Sequence, residues 1–147
     1  MKFVITGLPR SRTAWFAGYF TQGDTICVHE AAFYDKDMDL PFENIGTADS
    51  GYLNEPEWAE AFAPDKVVVV HRPLKEVIRS LDIIGITNVD DKMADLQVRL
   101  NEVVGLHVDF YDIGLKDIHE YLGLPDYNKE RADLFMHLNI QHQNWRQ

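Results

Sequence analysis

Three arginines with hydroxyl side chains nearby are the residues of this chain best suited to chemistry. Arg10 and Arg12 lie in the segment Gly-Leu-Pro-Arg-Ser-Arg-Thr-Ala-Trp, residues 7–15, which follows the apolar run 3–5. Arg72 comes much later, directly after a run of valines and a histidine. Guanidinium groups supply both positive charge and a fork of hydrogen-bond donors, which suits phosphate-like anions. The pattern therefore predicts an anion site.

The first segment also predicts a backbone that can hold an anion. A short buried strand ends at Gly7, and a helix-like stretch begins near Thr13. The N–H groups of such a loop converge on an anion, and the helix start adds roughly half a positive charge. The Walker A loop reads G-x-x-x-x-G-K-[ST], but here Arg12, Thr13 and Ala14 occupy its last three positions. The missing lysine and magnesium-binding hydroxyl argue against an ordinary ATPase or GTPase, and no metal is expected.

The second segment, residues 66–80, reads Lys-Val-Val-Val-Val-His-Arg-Pro-Leu-Lys-Glu-Val-Ile-Arg-Ser. Consecutive β-branched residues favour a fully buried parallel strand. Arg72 then lies at the carboxyl end of that strand, where open α/β sheets bind ligands. Ser80 follows about two helical turns later. We therefore expect Arg72 and Ser80 to face the same edge of the sheet as the first segment.

Taken together, the two segments resemble the donor-binding motifs of sulfotransferases that use 3′-phosphoadenosine 5′-phosphosulfate (PAPS). Residues 7–15 are similar to the family's 5′-phosphosulfate loop, G-[LY]-P-[RK]-S-G-T-T-W. Arg72 and Ser80 are similar to its Arg…Ser pair for the 3′-phosphate, although Pro73 comes one place early. The donor-binding residues implied by the resemblance are Gly7, Pro9, Arg10, Ser11, Arg12, Thr13, Ala14, Trp15, Arg72 and Ser80.

The resemblance implies a role for several of these side chains. Arg10 would stabilise the bridging and leaving oxygens, and Ser11 and Thr13 would bind the 5′-phosphate. Trp15 would stack on adenine, with a place in the hydrophobic core as the alternative. Arg12 stands where the family has glycine, a residue that tolerates positive φ. It implies either a different loop path or an additional guanidinium on the anion.

The general base has three candidates at predicted strand ends. His29 and Glu30 end the second strand, and an unperturbed histidine has a pKa of about 6.5, which suits a base near neutral pH. Asp49 ends the third strand, at the Walker B position, where it could orient Arg10 or the acceptor. His29 ranks first, then Asp49, then Glu30. A structural histidine is the competing interpretation of His29.

Strands that alternate with helices predict an α/β chain with a parallel sheet. The expected architecture is a three-layer, P-loop NTPase-like fold over a single domain, residues 1–147, with five strands flanked by helices. The strands are predicted at residues 2–6, Thr25–His29, Asn44–Ala48, Lys66–His71 and Leu106–Phe110. Helices are predicted at about 12–22, 55–62 (capped by Asn54), 73–84, 88–104, 115–122 and 127–138. Residues 31–43 are expected to form a loop over the site, and the C-terminal segment to be loosely docked.

Composition narrows the partners. The 147 residues carry a formal net charge of −10, which argues against nucleic acid or an anionic membrane surface as partner. No stretch approaches the ~20 apolar residues of a membrane span, and no signal-peptide pattern is seen. The single cysteine, Cys27, favours a reducing compartment. A cytoplasmic protein is therefore expected.

The leading hypothesis is a small sulfotransferase that moves a sulfuryl group from PAPS to a hydroxyl or amine. The acceptor and the oligomeric state are left open. A non-catalytic module that holds a nucleotide or another anion is the alternative. A small-molecule kinase is the third, disfavoured by the missing Walker lysine.

Overall fold

The structure, a computed structural model, describes residues 1–140 and contains a five-stranded, all-parallel sheet. The strands are β1 Lys2–Gly7, β2 Thr25–His29, β3 Asn44–Ala48, β4 Lys66–His71 and β5 Leu106–Asp109. Their order across the sheet is β2-β3-β1-β4-β5. This confirms the five predicted strands, with ends that differ by at most one residue. The C-terminal segment 141–147 lies outside the described residues.

Six α-helices lie within the predicted ranges. They are α1 Thr13–Phe20, α2 Pro56–Phe62, α3 Leu74–Ile83, α4 Asp90–Asn101, α5 Leu115–Leu122 and α6 Lys129–Met136. The predicted cap of α2 is wrong: Glu55 precedes the helix and no side chain caps it. The Asn54 amide oxygen instead accepts a hydrogen bond from Arg99 Nη2 at 3.1 Å. Pro56 at the helix start has no N–H to satisfy, which weakens the need for a cap.

The alternation along β1 builds the three layers. Phe3 and Ile5 belong to a core shared with α1, α5 and α6, whereas Val4 packs with Phe62 of α2. A further core on that second side joins Val69 to α3 and α4. Each fully buried side chain of this kind contributes about 1.5–3 kcal/mol by leaving water. The α/β, three-layer architecture is therefore confirmed. None of the helices in residues 1–140 is long and apolar enough to cross a bilayer.

The centre of the sheet brings the two motif segments together. β1 pairs with β4 in parallel, with Gly7 opposite Val70. A Cβ on Gly7 would lie 2.6 Å from the Val70 carbonyl oxygen, so this position needs glycine for close packing of the strands. β1 and β4 are neighbours, but the connections that follow them lead in opposite directions across the sheet: β1 leads to β2 at one edge and β4 leads to β5 at the other. Such a switch point leaves a crevice at the carboxyl edge, which is where α/β sheets bind ligands.

Candidate functional site

A cavity of about 830 Å³ opens at this carboxyl edge. Its volume is in the range of small-molecule and cofactor sites. The predicted donor-site and base residues that line it are Pro9, Arg10, Arg12, Thr13, Ala14, Trp15, His29, Glu30, Arg72 and Ser80. Gly7, Ser11 and Asp49 are not among its lining residues. The cavity thus gathers most of the side chains that the sequence singled out.

The loop between β1 and α1 adopts a left-handed conformation at two residues. Arg10 and Arg12 both have φ of 68°, a conformation that costs a non-glycine residue roughly 1–2 kcal/mol. Arg72 Nη1 donates a hydrogen bond to the Arg10 carbonyl at 2.6 Å, and Phe16 N–H donates to the Arg12 carbonyl at 2.9 Å. These bonds offset the strain and hold the loop.

Arg10 connects the loop to the second motif. Its Nε donates a hydrogen bond to Ser80 Oγ at 3.0 Å, across a sequence separation of 70 residues. Together with the bond from Arg72 to the Arg10 carbonyl, this places both motif side chains against the loop. The arrangement puts the guanidiniums of Arg10 and Arg72 and the Ser80 hydroxyl in one cavity.

The ring of Phe110 supports two guanidiniums at the cavity wall. The guanidinium carbons of Arg12 and Arg72 lie 4.6 and 4.5 Å from the ring centre. Burial, and then the charge of Arg72, lower the pKa of Arg12. Arg72 also forms an ion pair with Glu76, with Nε 3.5 Å from Oε1. A bound anion would relieve the repulsion between like charges, so the wall favours an anionic ligand.

The start of α1 leaves donors for such an anion. No side-chain hydrogen bond caps the start of α1, where the first N–H groups of a helix lack intrahelical partners. The Ser11 hydroxyl is fully buried and has no hydrogen-bond partner within residues 1–140. Because Ser11 does not line the cavity, an anion there would reach this hydroxyl only after a shift of the loop. On these grounds the residues present fit a phosphate or phosphosulfate group.

The candidate base lies in a polar network with the first residue of α1. Thr13 Oγ1 lies 3.0 Å from His29 Nε2 and donates its proton to Glu30 Oε1 at 3.2 Å. Because the hydroxyl has one proton, it accepts from His29 Nε2–H. This assignment makes Nδ1 the basic nitrogen of the neutral imidazole. The contacts with Thr13 and Glu30 hold the imidazole of His29 at the cavity wall.

Glu30, directly after β2, is held in place by residues at the end of β3 and just beyond it. Its N–H donates to the Ala48 carbonyl at 3.0 Å. It has a φ of 57°, and its carboxylate accepts bonds from the N–H and the hydroxyl of Ser50. Burial, and then the charge of Asp49, raise the pKa of Glu30, while the bonds from Ser50 and Thr13 oppose the shift. The side chain is therefore well placed to orient Thr13 and His29.

Asp49 has a different setting from the one expected. It is fully buried, and its carboxylate accepts bonds from the backbone N–H groups of Ala32 at 2.5 Å and Gly51 at 2.8 Å. Burial raises the pKa of Asp49, and these bonds, with one from the Phe33 N–H, oppose the shift. The carboxylate thus anchors the loop after β2 instead of facing the cavity, and the predicted role in orienting the acceptor has no support from its contacts.

Trp15 takes the alternative place foreseen for it, in the core. Its side chain is only 2% exposed, and its indole N–H donates to the Phe135 carbonyl at 2.7 Å. The ring stacks on Tyr19 with a centroid separation of 5.5 Å. One edge reaches the cavity, but α6 covers the ring, so stacking on adenine would require α6 to shift.

Several lining residues escaped the sequence analysis. Phe110 had only its position at a predicted strand end as a signal. The apolar wall was missed because its residues come from separate segments: Ile84, Ile86, Val89, Met93, Met136, Leu138 and Ile140. Phe33 and Tyr34 lie in the loop expected over the site, and both line the cavity.

Within residues 1–140, no group of three or more His, Cys, Asp or Glu side chains is arranged to hold a metal ion. That the reaction needs no metal ion remains a prediction from the sequence. Comparison with known proteins found no matching family model, no matching curated protein and no matching solved structure. The functional argument therefore depends on the geometry of the site.

Proposed function

We propose that this protein transfers a sulfuryl group from PAPS to a hydroxyl or amine acceptor. The observation that carries the proposal is the hydrogen bond from Arg10 Nε to Ser80 Oγ at 3.0 Å. It joins two segments, each similar to a donor-binding motif of sulfotransferases, at the edge of the sheet where their ligands would have to meet. Because β1 and β4 are neighbouring parallel strands, the two segments meet at one edge, and the hydrogen bond shows that these particular side chains are in contact.

The chain's cations suit the charge changes of this reaction. When bound, PAPS supplies the sulfuryl group: the bond from sulfur to the bridging phosphate oxygen breaks as a bond to the acceptor atom forms. Arg10 would stabilise the charge that develops on the leaving phosphate, and Arg72 with Ser80 would hold the 3′-phosphate. Such preorganised positive charge is the main source of catalysis in related phosphoryl transfers.

His29 would receive the proton that the acceptor loses. Thr13 and Glu30 hold the imidazole in place, the ring would accept that proton, and adenosine 3′,5′-bisphosphate and the sulfated acceptor would leave. We place the reaction in the cytoplasm, because a buried single cysteine fits a reducing compartment.

Calorimetric titration of the full chain with adenosine 3′,5′-bisphosphate tests the donor site, with ATP and magnesium in a parallel titration. We expect micromolar binding of the bisphosphate and none of comparable strength for ATP. Arg72→Ala should weaken binding roughly tenfold to a hundredfold, since charge-assisted hydrogen bonds contribute about 1.5–3 kcal/mol. Ser80→Ala should weaken it roughly twofold to tenfold.

The matched control is Arg79→Ala, which removes the same charge from an exposed position of α3 outside the cavity. It should change the affinity less than twofold. Equal losses for Arg72→Ala and Arg79→Ala would mean that only net charge matters, and the assigned site would be wrong. Tighter binding of ATP with magnesium would favour the kinase alternative.

A non-catalytic anion-binding module is the second candidate, and the burial of Trp15 favours it because adenine lacks its expected stacking partner. Turnover separates the two functions. A sulfotransferase should release adenosine 3′,5′-bisphosphate from PAPS faster when an acceptor is present. His29→Gln should abolish that release while the bisphosphate affinity stays within about twofold. A binding module would show no acceptor-dependent release.

A further inference from the structure

We infer that the acceptor is an alcohol or amine with an apolar body, and that Phe33 and Tyr34 select it. We call this pair the aromatic lip. The inference rests on the proposed function, since it names the substrate class for the same cavity. It begins from the division of the cavity wall into a charged part and an apolar part.

The charged part of the wall matches the donor. Among the residues that line the cavity, the arginines are Arg10, Arg12 and Arg72, and the carboxylate is Glu30. PAPS carries its negative charges on the 3′-phosphate and the phosphosulfate, and these would take the arginines. An anionic acceptor would then find Glu30 but no further arginine or lysine among the lining residues of the described part, 1–140. Lys36 Nζ lies 5.6 Å from the centre of the Tyr34 ring, outside that lining.

The aromatic lip is exposed although it consists of large apolar side chains. Phe33 is 62% and Tyr34 48% exposed, and their rings meet edge to face at 5.0 Å. Both line the cavity, one helical turn after the candidate base. An acceptor hydroxyl near His29 would therefore extend its body across these rings.

Hydrogen bonds tie the backbone of the lip to the loop after β2. Tyr34 N–H donates to the Glu30 carbonyl at 3.1 Å, which fixes the turn that carries both rings. The buried carboxylate of Asp49 binds the N–H of Ala32 at 2.5 Å, and Phe33 packs close to Gly51. Exposed aromatic side chains on a fixed backbone lose little entropy when they bind a ligand. The contacts of Asp49 thus position the lip.

Part of the remaining wall is apolar as well, whereas Ser50, His137 and Asn139 are its polar members. The connection between α3 and α4 contributes Ile84, Ile86 and Val89, and α4 contributes Met93. Ile86 is also exposed. A sugar would leave its hydroxyl groups unpaired against such surfaces, at the cost of their desolvation. An alkyl or aryl body would instead gain free energy from each contact.

A binding series with 1-alkanols from butanol to octanol, and with glucose as the polar probe, tests this inference. Affinities are measured by NMR titration of the full chain with and without saturating adenosine 3′,5′-bisphosphate. We expect affinity to rise roughly twofold to fourfold per methylene and glucose not to bind. Phe33→Ala and Tyr34→Ala should each weaken octanol binding about fivefold to tenfold, the effect of losing about 40–55 Å² of apolar contact.

Phe42→Ala is the matched control, because Phe42 is an exposed aromatic residue outside the cavity lining. Circular dichroism of each variant checks that it is folded. Affinity that is independent of chain length, glucose binding as tight as octanol, or equal effects of Phe33→Ala and Phe42→Ala would overturn the inference.

The two nucleotide conditions separate this inference from the proposed function. Bisphosphate binding without any alkanol binding would leave the sulfotransferase proposal standing and overturn the role of the lip. Alkanol binding that depends on the lip, without bisphosphate binding, would support an apolar ligand site and refute the sulfotransferase proposal.

Discussion

Replacement of Arg12 by glycine should leave the protein more stable than replacement by alanine. Both changes remove the guanidinium, so both lose the contact with the Phe110 ring at 4.6 Å and the repulsion from Arg72. The two variants therefore differ in the backbone of residue 12, which has φ 68° and ψ 25°. This comparison tests the loop conformation apart from its charge.

The magnitude follows from two opposing effects. A left-handed conformation costs alanine roughly 1–2 kcal/mol relative to glycine. Glycine in turn loses more conformational freedom on folding, by roughly 0.4–1 kcal/mol. The difference leaves the glycine variant more stable by about 1 kcal/mol. At an ordinary helical position the sign is reversed, because glycine there costs about 1 kcal/mol relative to alanine.

Equilibrium urea unfolding, followed by tryptophan fluorescence, measures the difference. Ala94→Gly is the control, since Ala94 is exposed within α4 and its replacement should lower the free energy of unfolding by about 1 kcal/mol. The reasoning is refuted if Arg12→Ala is as stable as Arg12→Gly while Ala94→Gly shows its normal penalty. Residue 12 would then not have a left-handed backbone conformation, and the loop between β1 and α1 would not have the described shape.

Three further predictions concern the scaffold. Gly46→Ala should lower the free energy of unfolding by about 1–3 kcal/mol, because a Cβ there would lie 2.2 Å from the Phe3 ring; a wild-type urea midpoint would contradict the packing of β3. Burial lowers the pKa of His119 in the folded protein. As the pH falls, His119 is therefore protonated in the unfolded chain before it is protonated in the folded one, and the free energy of unfolding should decrease below about pH 6.5. His119→Gln should reduce this loss between pH 7.5 and 5.5 in urea unfolding, and an unchanged loss would assign the pH dependence to other groups. Burial also raises the pKa of the Cys27 thiol; a disulfide reagent should therefore label it only as fast as the chain unfolds, and rapid labelling of the native protein would show that the thiol is accessible.

The sequence alone determined the sheet and the two motif segments. The valine run of β4 and the apolar residues 3–5 of β1 mark buried parallel strands by their residue types, independently of distant contacts. The loop after β1 was recognisable because its residue pattern is local. Such features depend on near neighbours in the chain, and near neighbours are visible in a sequence.

Tertiary structure decided which polar and aromatic groups reach the cavity. A functional role was a reasonable prediction for Asp49 and Trp15 from their positions. The Asp49 carboxylate, however, accepts hydrogen bonds from backbone N–H groups, and Trp15 packs against α6. Arg10 meets Ser80 across 70 residues, and Phe33 reaches the cavity because its loop is anchored by Asp49. A side chain's partner is set by the packing of distant elements, whereas periodicity reports only whether the side chain is buried.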